Sequence, residues 1–310
     1  MRRAYVIAYP AGHSLSPAMH TAAFAALGLP ATYEAWAVPP DELPAAFERL
    51  RLPDAYGANV TVPHKEAAAG LVDELTSEAR ALGAVNTVVN MGGRLLGANT
   101  DPDGFAASLA AVLPGYPDAL PRDLRTLVLG AGGAARAVVW TLLERGVHVD
   151  VLNREQERAK RLVAQFDPGG RRAGVVERLP SGDPAARDRA TGVERDGGGD
   201  PRPAMLDLSR YALLVNTTSV GMAGGPDPDG LPLITRAELA TARQGCAAID
   251  LVYRPATTPL LSAAAELGLK TENGVTMLVG QGARSFGMWT GVEAPVAVMR
   301  QAVEVGLAGR

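Results

Sequence analysis

Residues 126–136 read Thr126-Leu127-Val128-Leu129-Gly130-Ala131-Gly132-Gly133-Ala134-Ala135-Arg136. The apolar run ending at Leu129 predicts a strand. The Gly/Ala turn after it fits G-x-G-x-x-A and opens a helical stretch that reaches Arg145, and Val147 to Leu152 predicts a second strand. Strand, turn, helix and strand within roughly 30 residues form the βαβ unit of a nucleotide-binding half. Gly130 permits a tight bend, Gly132 lets a pyrophosphate approach the backbone, and Ala135 lets helix and strand pack closely. Free N–H groups at the helix N-terminus then face the phosphates. The competing reading is a Gly-rich turn that holds no ligand.

The end of the second strand discriminates between cofactors. An acidic residue there would bind the ribose 2′-hydroxyl of NAD. The chain instead has Asn153-Arg154, with Arg158 one helical turn further on. A guanidinium suits a 2′-phosphate by charge and by forked hydrogen bonding, which favours NADP. Glu155 competes for Arg154, and a surface arginine at a strand end is the alternative reading.

Working outward, the first third alternates short apolar runs with helical patterns. Strands are expected at Tyr5 to Ala8, Tyr33 to Val38 and Ala58 to Val62. Helices are expected at Pro17 to Leu27, with Ser16 as cap, at Pro40 to Leu50 and at His64 to Leu71. A hairpin is expected around Gly92-Gly93, between Thr87–Asn90 and Arg94–Gly97. A helix near Asp103 to Leu113 and a Pro-rich joint at Pro114, Pro117 and Pro121 lead into the βαβ unit. Residues 167–203 are dense in Gly, Pro, Arg and Asp and read as a weakly structured surface insertion. Order resumes at Leu213 to Asn216. A last strand precedes Asp250, and the chain from Leu278 onward reads as helical. Strands alternating with helices predict an α/β protein.

The 310 residues are 47% hydrophobic and 20% charged, so a sizeable core can be buried. A net charge of −3 leaves no broad basic field for nucleic acid or an anionic membrane. One cysteine, Cys246, excludes an internal disulfide, fits a reducing compartment and reads as a buried strand residue. The start of the chain breaks at Pro10 and Gly12, too early for a signal peptide, and no apolar run reaches membrane-spanning length. A cytoplasmic protein is expected. Histidines at 13, 20, 64 and 148 show no metal-ligand spacing; His13 reads as structural and His64 as an exposed neighbour of Lys65.

Four polar clusters have no evident structural need. His13-Ser14-Leu15-Ser16-Pro17 puts two hydroxyls before a helix, where they face an anion or serve as an ordinary cap. In Asn59-Val60-Thr61-Val62-Pro63-His64-Lys65, Asn59 and Thr61 share one strand face and Lys65 falls in the next helix's first turn. The others are Ala84-Val85-Asn86-Thr87 and Asn99-Thr100-Asp101. Taken alone, Lys65 reads first as a solvated surface lysine, because most lysines are exposed.

These pieces, in order with GAGGAAR (130–136), NR (153–154), NTTSVGM (216–222), DLVY (250–253), TPLL (258–261) and NGVTMLVGQGARSFGMWTG (273–291), resemble the shikimate dehydrogenase family, quinate/shikimate dehydrogenases included. The resemblance covers nearly the whole chain apart from 167–203. It implies an N-terminal α/β substrate domain, a doubly wound Rossmann-type NADP domain and C-terminal helices that return to the first domain. The expected division is 1–103 with 275–310, and 104–274. It implies reversible reduction of 3-dehydroshikimate to shikimate by NADPH, in chorismate and aromatic amino-acid biosynthesis. Matching positions put Ser14 and Ser16 on the substrate carboxylate, with Asn59, Thr61, Asn86, Asp101, Tyr253 and Gln281 around the ring. Lys65 and Asp101 are the implied catalytic pair. Gly130, Ala131, Gly132, Gly133 and Ala134, with Asn153, Arg154 and Arg158, are implied to hold NADP. Leu251 and Gly274 match positions near the nicotinamide.

The residue chemistry is consistent with this. A polyhydroxylated ring acid needs directional hydrogen bonds, which Ser, Thr, Asn and Gln supply. Hydride transfer to a ketone builds charge on oxygen and requires a proton donor. A helix N-terminus disfavours an ammonium at Lys65, while Asp101 favours and orients it. The cofactor carries the redox step, so the expected site needs no metal. Departures from the family pattern are Ala8, Ser77, Pro102, Arg254 and Thr276. Pro102 predicts a stiffer Asp101 loop. Rival readings are a dehydrogenase of quinate or another hydroxylated ring acid, a non-catalytic NADP-binding sensor, and a glutamyl-tRNA reductase-like domain, for which Cys246 stands in the wrong place. A monomer or homodimer is expected.

Overall fold

The computed structural model describes residues 1–11, 14–118, 120, 124–177 and 205–309. Two six-stranded sheets organise it. The first contains β1 (Arg2–Ala8), β2 (Ala31–Ala37), β3 (Ala55–Val60), β4 (Glu74–Leu75), β5 (Thr87–Met91) and β6 (Arg94–Ala98), in the order β2-β1-β3-β5-β6-β4. β1 runs parallel to β2 and β3, and β5 is antiparallel to β3 and β6. The second contains β7 (Arg125–Leu129), β8 (His148–Leu152), β9 (Ala173–Val175), β10 (Leu213–Asn216), β11 (Ala247–Asp250) and β12 (Lys270–Glu272), in the order β12-β11-β10-β7-β8-β9. Every pairing in the second sheet is parallel. Its order reverses between β7 and β10, the switch point at which open parallel sheets bind ligands.

Helices cover both sheets: α1 (Ser16–Ala26), α2 (Leu43–Leu50), α3 (Lys65–Ala68), α4 (Ser77–Leu82), α5 (Asp101–Val112), α6 (Gly133–Glu144), α7 (Gln156–Phe166), α8 (Arg236–Leu239), α9 (Pro259–Glu266), α10 (Gly274–Thr290) and α11 (Val296–Ala308). On β7, alternate side chains serve opposite faces. Val128 packs with Val138 and Leu142 of α6, whereas Leu127 and Leu129 pack with Leu260 and Ala264 of α9. A strand buried on both faces must be continuously apolar, which is why this run stands out in the sequence. In the first sheet, Ala4 and Val6 pack with Met19 and Phe24 of α1, Phe286 and Trp289 of α10, and Val303 of α11. The C-terminal helices therefore return to the first sheet, where Trp289 Nε1 donates to the Val88 carbonyl at 2.9 Å.

Two helices join the halves. α5 starts beside the first sheet, but its Phe105, Leu109 and Val112 enter the core of the second. It crosses α10 on small residues. A Cβ at Gly104 would lie 2.5 Å from the Met277 carbonyl, and one at Gly280 would lie 3.1 Å from Gly104 Cα. The expected boundary at 103/104 thus falls inside α5, and that at 274/275 falls at the start of α10.

Several local expectations need correction. The helix expected at 64–71 is the single turn α3, so its dipole at Lys65 is small. Ser16 is the first helical residue rather than the cap; Leu15 holds that position, and Ser14 Oγ accepts from Ser16 N at 3.2 Å. Pro102 lies in the first turn of α5, where its missing N–H costs no helical bond. Within the expected insertion, 173–175 form β9 against β8, while 178–203 lie outside the described residues. The strand before Asp250 is not the last: Lys270-Thr271-Glu272 forms β12. Edge strands such as β9 and β12 pair on one side through the backbone, so their side chains carry little apolar alternation. Helix α4 is an addition to the expected elements, although Thr76 accepts from Ala79 N and Gly83 ends it at φ 61°, both readable start and stop signals.

Candidate active site

Lys65 begins α3 and Asp101 begins α5, 36 positions apart, and Lys65 Nζ donates to Asp101 Oδ2 at 2.6 Å. Both side chains are partly shielded, with 24% and 10% of their surfaces exposed. The short separation and the shielding make this more than a surface ion pair. The other oxygen, Oδ1, accepts from Asn86 Nδ2 at 2.7 Å. Asp101 N donates to Asn99 Oδ1, and Asn99 Nδ2 donates to the Ala84 carbonyl. A carboxylate in the first turn of a twelve-residue helix also has a favourable dipole. The pair is held on one side by α5 and on the other by the loop preceding β5.

Asn86 is held in turn. Its Oδ1 accepts from Thr100 N at 2.8 Å and from Thr87 Oγ1 at 2.9 Å. Thr87 stands opposite Asn59 in the β3–β5 register. Asn59 Nδ2 donates to Thr87 Oγ1, to Ser285 Oγ and to the Asn86 carbonyl, while its Oδ1 accepts from Tyr33 OH at 2.8 Å. Burial raises the Tyr33 hydroxyl well above its ordinary range, a shift the neighbouring Ser16 hydroxyl opposes. Ser285 of α10 is fully buried; its hydroxyl lies 2.8 Å from Thr87 Oγ1 and 3.2 Å from Thr100 Oγ1, and it donates to the Gln281 carbonyl at 2.9 Å. Asn59 and Asn86 therefore lie side by side, with both amides hydrogen-bonded within the same network. Tyr33, Thr87, Thr100 and Ser285 are not among the residues singled out from sequence. Thr87 and Thr100 sit inside quoted motifs, but nothing local marks Tyr33 or Ser285.

The remaining substrate candidates come from four elements. Ser14 and Ser16 open α1, and Thr61 follows β3, its carbonyl accepting from His64 N. Gln281 lies on α10 against Gly104, three residues beyond Asp101, with Nε2 donating to the Leu278 carbonyl. Tyr253 packs partly buried on the first-sheet core. His64 is not exposed as expected: it is 1% exposed, with Nε2 2.8 Å from the Val38 carbonyl. His13 lies outside the described residues. A cavity of about 990 Å³ lined by Arg254, Glu272, Asn273 and Arg300 contains none of the expected site residues.

The cofactor candidates gather at the C-terminal ends of the second sheet. Gly130 follows β7 at φ 108°, and a Cβ there would lie 2.6 Å from Thr217 Oγ1, so glycine is required. A Cβ at Gly132 or Gly133 would meet nothing within 4 Å, which leaves an open cradle. Helix α6 starts at Gly133 with no side-chain cap, so its first N–H groups point into that cradle. Arg158 Nε donates to the Ala131 carbonyl at 2.9 Å, which fastens α7 to the loop. Asn153 Nδ2 donates to the Glu155 carbonyl, and Arg154 beside it is exposed. On β11's side, a Cβ at Gly274 would collide with the Leu251 carbonyl, so these two are in contact. These features fit a dinucleotide. Cys246 is buried, and burial pushes its thiol up to about 11, which leaves it inert. Among the described residues no helix is long and apolar enough to cross a membrane.

Comparison with known proteins gives a consistent result. Residues 6–88 match the shikimate dehydrogenase substrate binding domain, 119–179 match shikimate / quinate 5-dehydrogenase, and 274–304 match the shikimate 5'-dehydrogenase C-terminal domain. The shikimate dehydrogenase (NADP(+)) of Symbiobacterium thermophilum is 40% identical over 311 residues, covering 98% of this chain and 94% of that one. The enzyme of the same name from Methanopyrus kandleri is 41% identical over 299 residues, covering 96% and 93%. The crystal structure of shikimate 5-dehydrogenase from Thermus thermophilus in complex with NADP(H) and shikimate superposes with a TM-score of 0.79 at 37% identity, covering 99% of this chain and all of that one. The chain belongs to the shikimate dehydrogenase family.

Proposed function

We propose that this chain is an NADP-dependent shikimate dehydrogenase, catalysing the reversible reduction of 3-dehydroshikimate to shikimate in the cytoplasm as a monomer or homodimer. The observation that carries the reading is the shielded Lys65–Asp101 pair at 2.6 Å, locked by Asn86. The bound nicotinamide supplies the hydride. Lys65 supplies the proton to the ketone oxygen as negative charge builds there, and takes it back in the reverse direction. Asp101, held by Asn86 and its own helix, keeps the ammonium aimed and limits its wandering. Ser14 and Ser16 take the substrate carboxylate, and Asn59, Thr61, Asn86, Tyr253 and Gln281 take its hydroxyls. The division of labour is residues 1–103 with 275–310 for substrate, and 104–274 for cofactor.

NADP is supported by the open Gly132–Gly133 cradle, by Asn153-Arg154 directly after β8 and by Arg158 on α7; the first residue past the strand is an asparagine, and the acidic Glu155 comes only after Arg154. No observation favours the quinate-specific or the non-catalytic reading. The test is a steady-state assay of shikimate and quinate, each with NADP⁺ and NAD⁺. Shikimate with NADP⁺ should show the highest kcat/KM. A protein that turns over quinate with the higher kcat/KM, or neither acid with either cofactor, sinks the proposal.

A further inference from the structure

We infer that Arg136 is a positioning residue that couples the dinucleotide loop to the substrate loop, an inference that rests on the proposed NADP and shikimate sites. Arg136 lies in the first turn of α6, three residues beyond Gly133. Its guanidinium crosses to the other half of the molecule. Nε and Nη2 both donate to the Leu82 carbonyl, at 3.0 and 2.6 Å. Leu82 ends α4, so this carbonyl is one that the helix itself leaves without a partner. A second bridge lies beside it, from Gln165 Nε2 of α7 to the Ala81 carbonyl at 3.3 Å. Gly83 adapts the chain to the grip: its φ is +61°, and a Cβ there would lie 3.2 Å from Arg136 Nη2.

The gripped residue leads directly into the catalytic pair. The Ala84 carbonyl accepts from Asn99 Nδ2 at 2.9 Å, Val85 N donates to the Lys65 carbonyl at 2.8 Å, and Asn86 Nδ2 donates to Asp101. Four residues therefore connect the Arg136 anchor to both Lys65 and Asp101. At the other end, one helical turn connects the same anchor to the N–H groups that face the phosphates. A helix turn is stiff, so an adjustment of the loop on phosphate binding moves the guanidinium with it. Leu82 follows, and the 83–86 segment is reset against Lys65. Such coupling is reciprocal: substrate seated on Asn86 also favours the phosphate-bound position of α6.

The experiment compares wild type, Arg136→Met and Arg136→Lys by hydrogen exchange over residues 80–86, with and without NADP⁺, and by steady-state kinetics. In the wild type NADP⁺ slows exchange in this segment about tenfold, a coupling of ordinary size. Arg136→Met binds NADP⁺ within about threefold of wild type but loses this protection, and its KM for shikimate rises about tenfold with a smaller change in kcat. Arg136→Lys, which keeps the charge but cannot fork onto one carbonyl, recovers part of the protection. It is the deciding variant if the methionine protein does not fold. Unchanged protection in both variants, or no NADP⁺-dependent protection in the wild type, overturns the inference. A wild type that shows the protection yet oxidises no shikimate overturns the proposed activity instead and leaves the coupling in place.

Discussion

Acid should weaken the fold through His20, which lies in the wall beneath the site. Its ring is fully buried, stacked on Tyr33 with centroids 4.4 Å apart and planes at 13°, and flanked by Phe286 and Trp289. Neither ring nitrogen has a hydrogen-bond partner. Burial pushes the imidazole from 6.5 down to about 3. The unfolded chain takes up its proton near the ordinary value, so between these limits the unfolded state binds more protons. The stabilisation is complete above pH 6.5 and is lost as pH falls toward 3, by about 1.4 kcal/mol per unit. At pH 5 the loss relative to pH 7.5 is about 2 kcal/mol, and by pH 3 it is about 4 kcal/mol. The smaller figure is already a sizeable part of a total stability of roughly 5–15 kcal/mol. Urea unfolding of wild type and His20→Phe at pH 7.5, 6 and 5 measures it. The phenylalanine keeps a ring in the stack, and any cost of its extra volume is independent of pH. The difference between the two proteins should shift by about 2 kcal/mol toward the variant at pH 5. A difference that stays constant across the series refutes the reasoning.

Three further outcomes are expected. Lys65→Ala should lower turnover by about 10²–10⁴ with little change in NADP⁺ affinity by calorimetry; near-normal turnover would remove Lys65 from the mechanism. Arg154→Ala should weaken NADP⁺ much more than NAD⁺, and equal losses would undo the 2′-phosphate assignment. Asp250 works opposite to His20. Buried and bonded to Asn216, Val252 and Thr258, its carboxyl is pushed up to about 6 by burial. The folded state then holds this proton longer than the unfolded one, so stability falls by about 2 kcal/mol as pH rises from 4 to 6, and by about 3 kcal/mol in all before it levels off near pH 7. Asp250→Asn should lose that decline, and a variant whose curve follows the wild type over this range would argue against it.

The parts of the site that are legible from sequence share a physical feature: their signal is local. Leu127 to Leu129 are apolar without a break because both faces of β7 are covered, and Gly130 to Ala135 carry their own turn chemistry. Lys65 and Asp101 can be named because each ends a short polar motif, 58–65 and 99–101, that resembles the family pattern. The edge strands β9 and β12 are not legible, because one-sided backbone pairing asks little of Lys270, Thr271 and Glu272. His64 reads as exposed and is buried, since a polar ring at a helix start gives no sign that the Val38 carbonyl waits for it.

The sequence by itself determined the central strands with several of the helices beside them, the dinucleotide turn and the kinds of side chain available for the chemistry, because these follow from periodicity and from turn residues a few positions apart. Only the tertiary structure decided that Lys65 meets Asp101, that Ser285 reaches Thr87 and Asn59 from a helix about 200 positions later, and that Arg136 grips Leu82 across the two halves. Those contacts depend on sheet register and on the Gly104–Gly280 crossing of α5 and α10, and no short window of sequence contains either partner of such a contact together with the other.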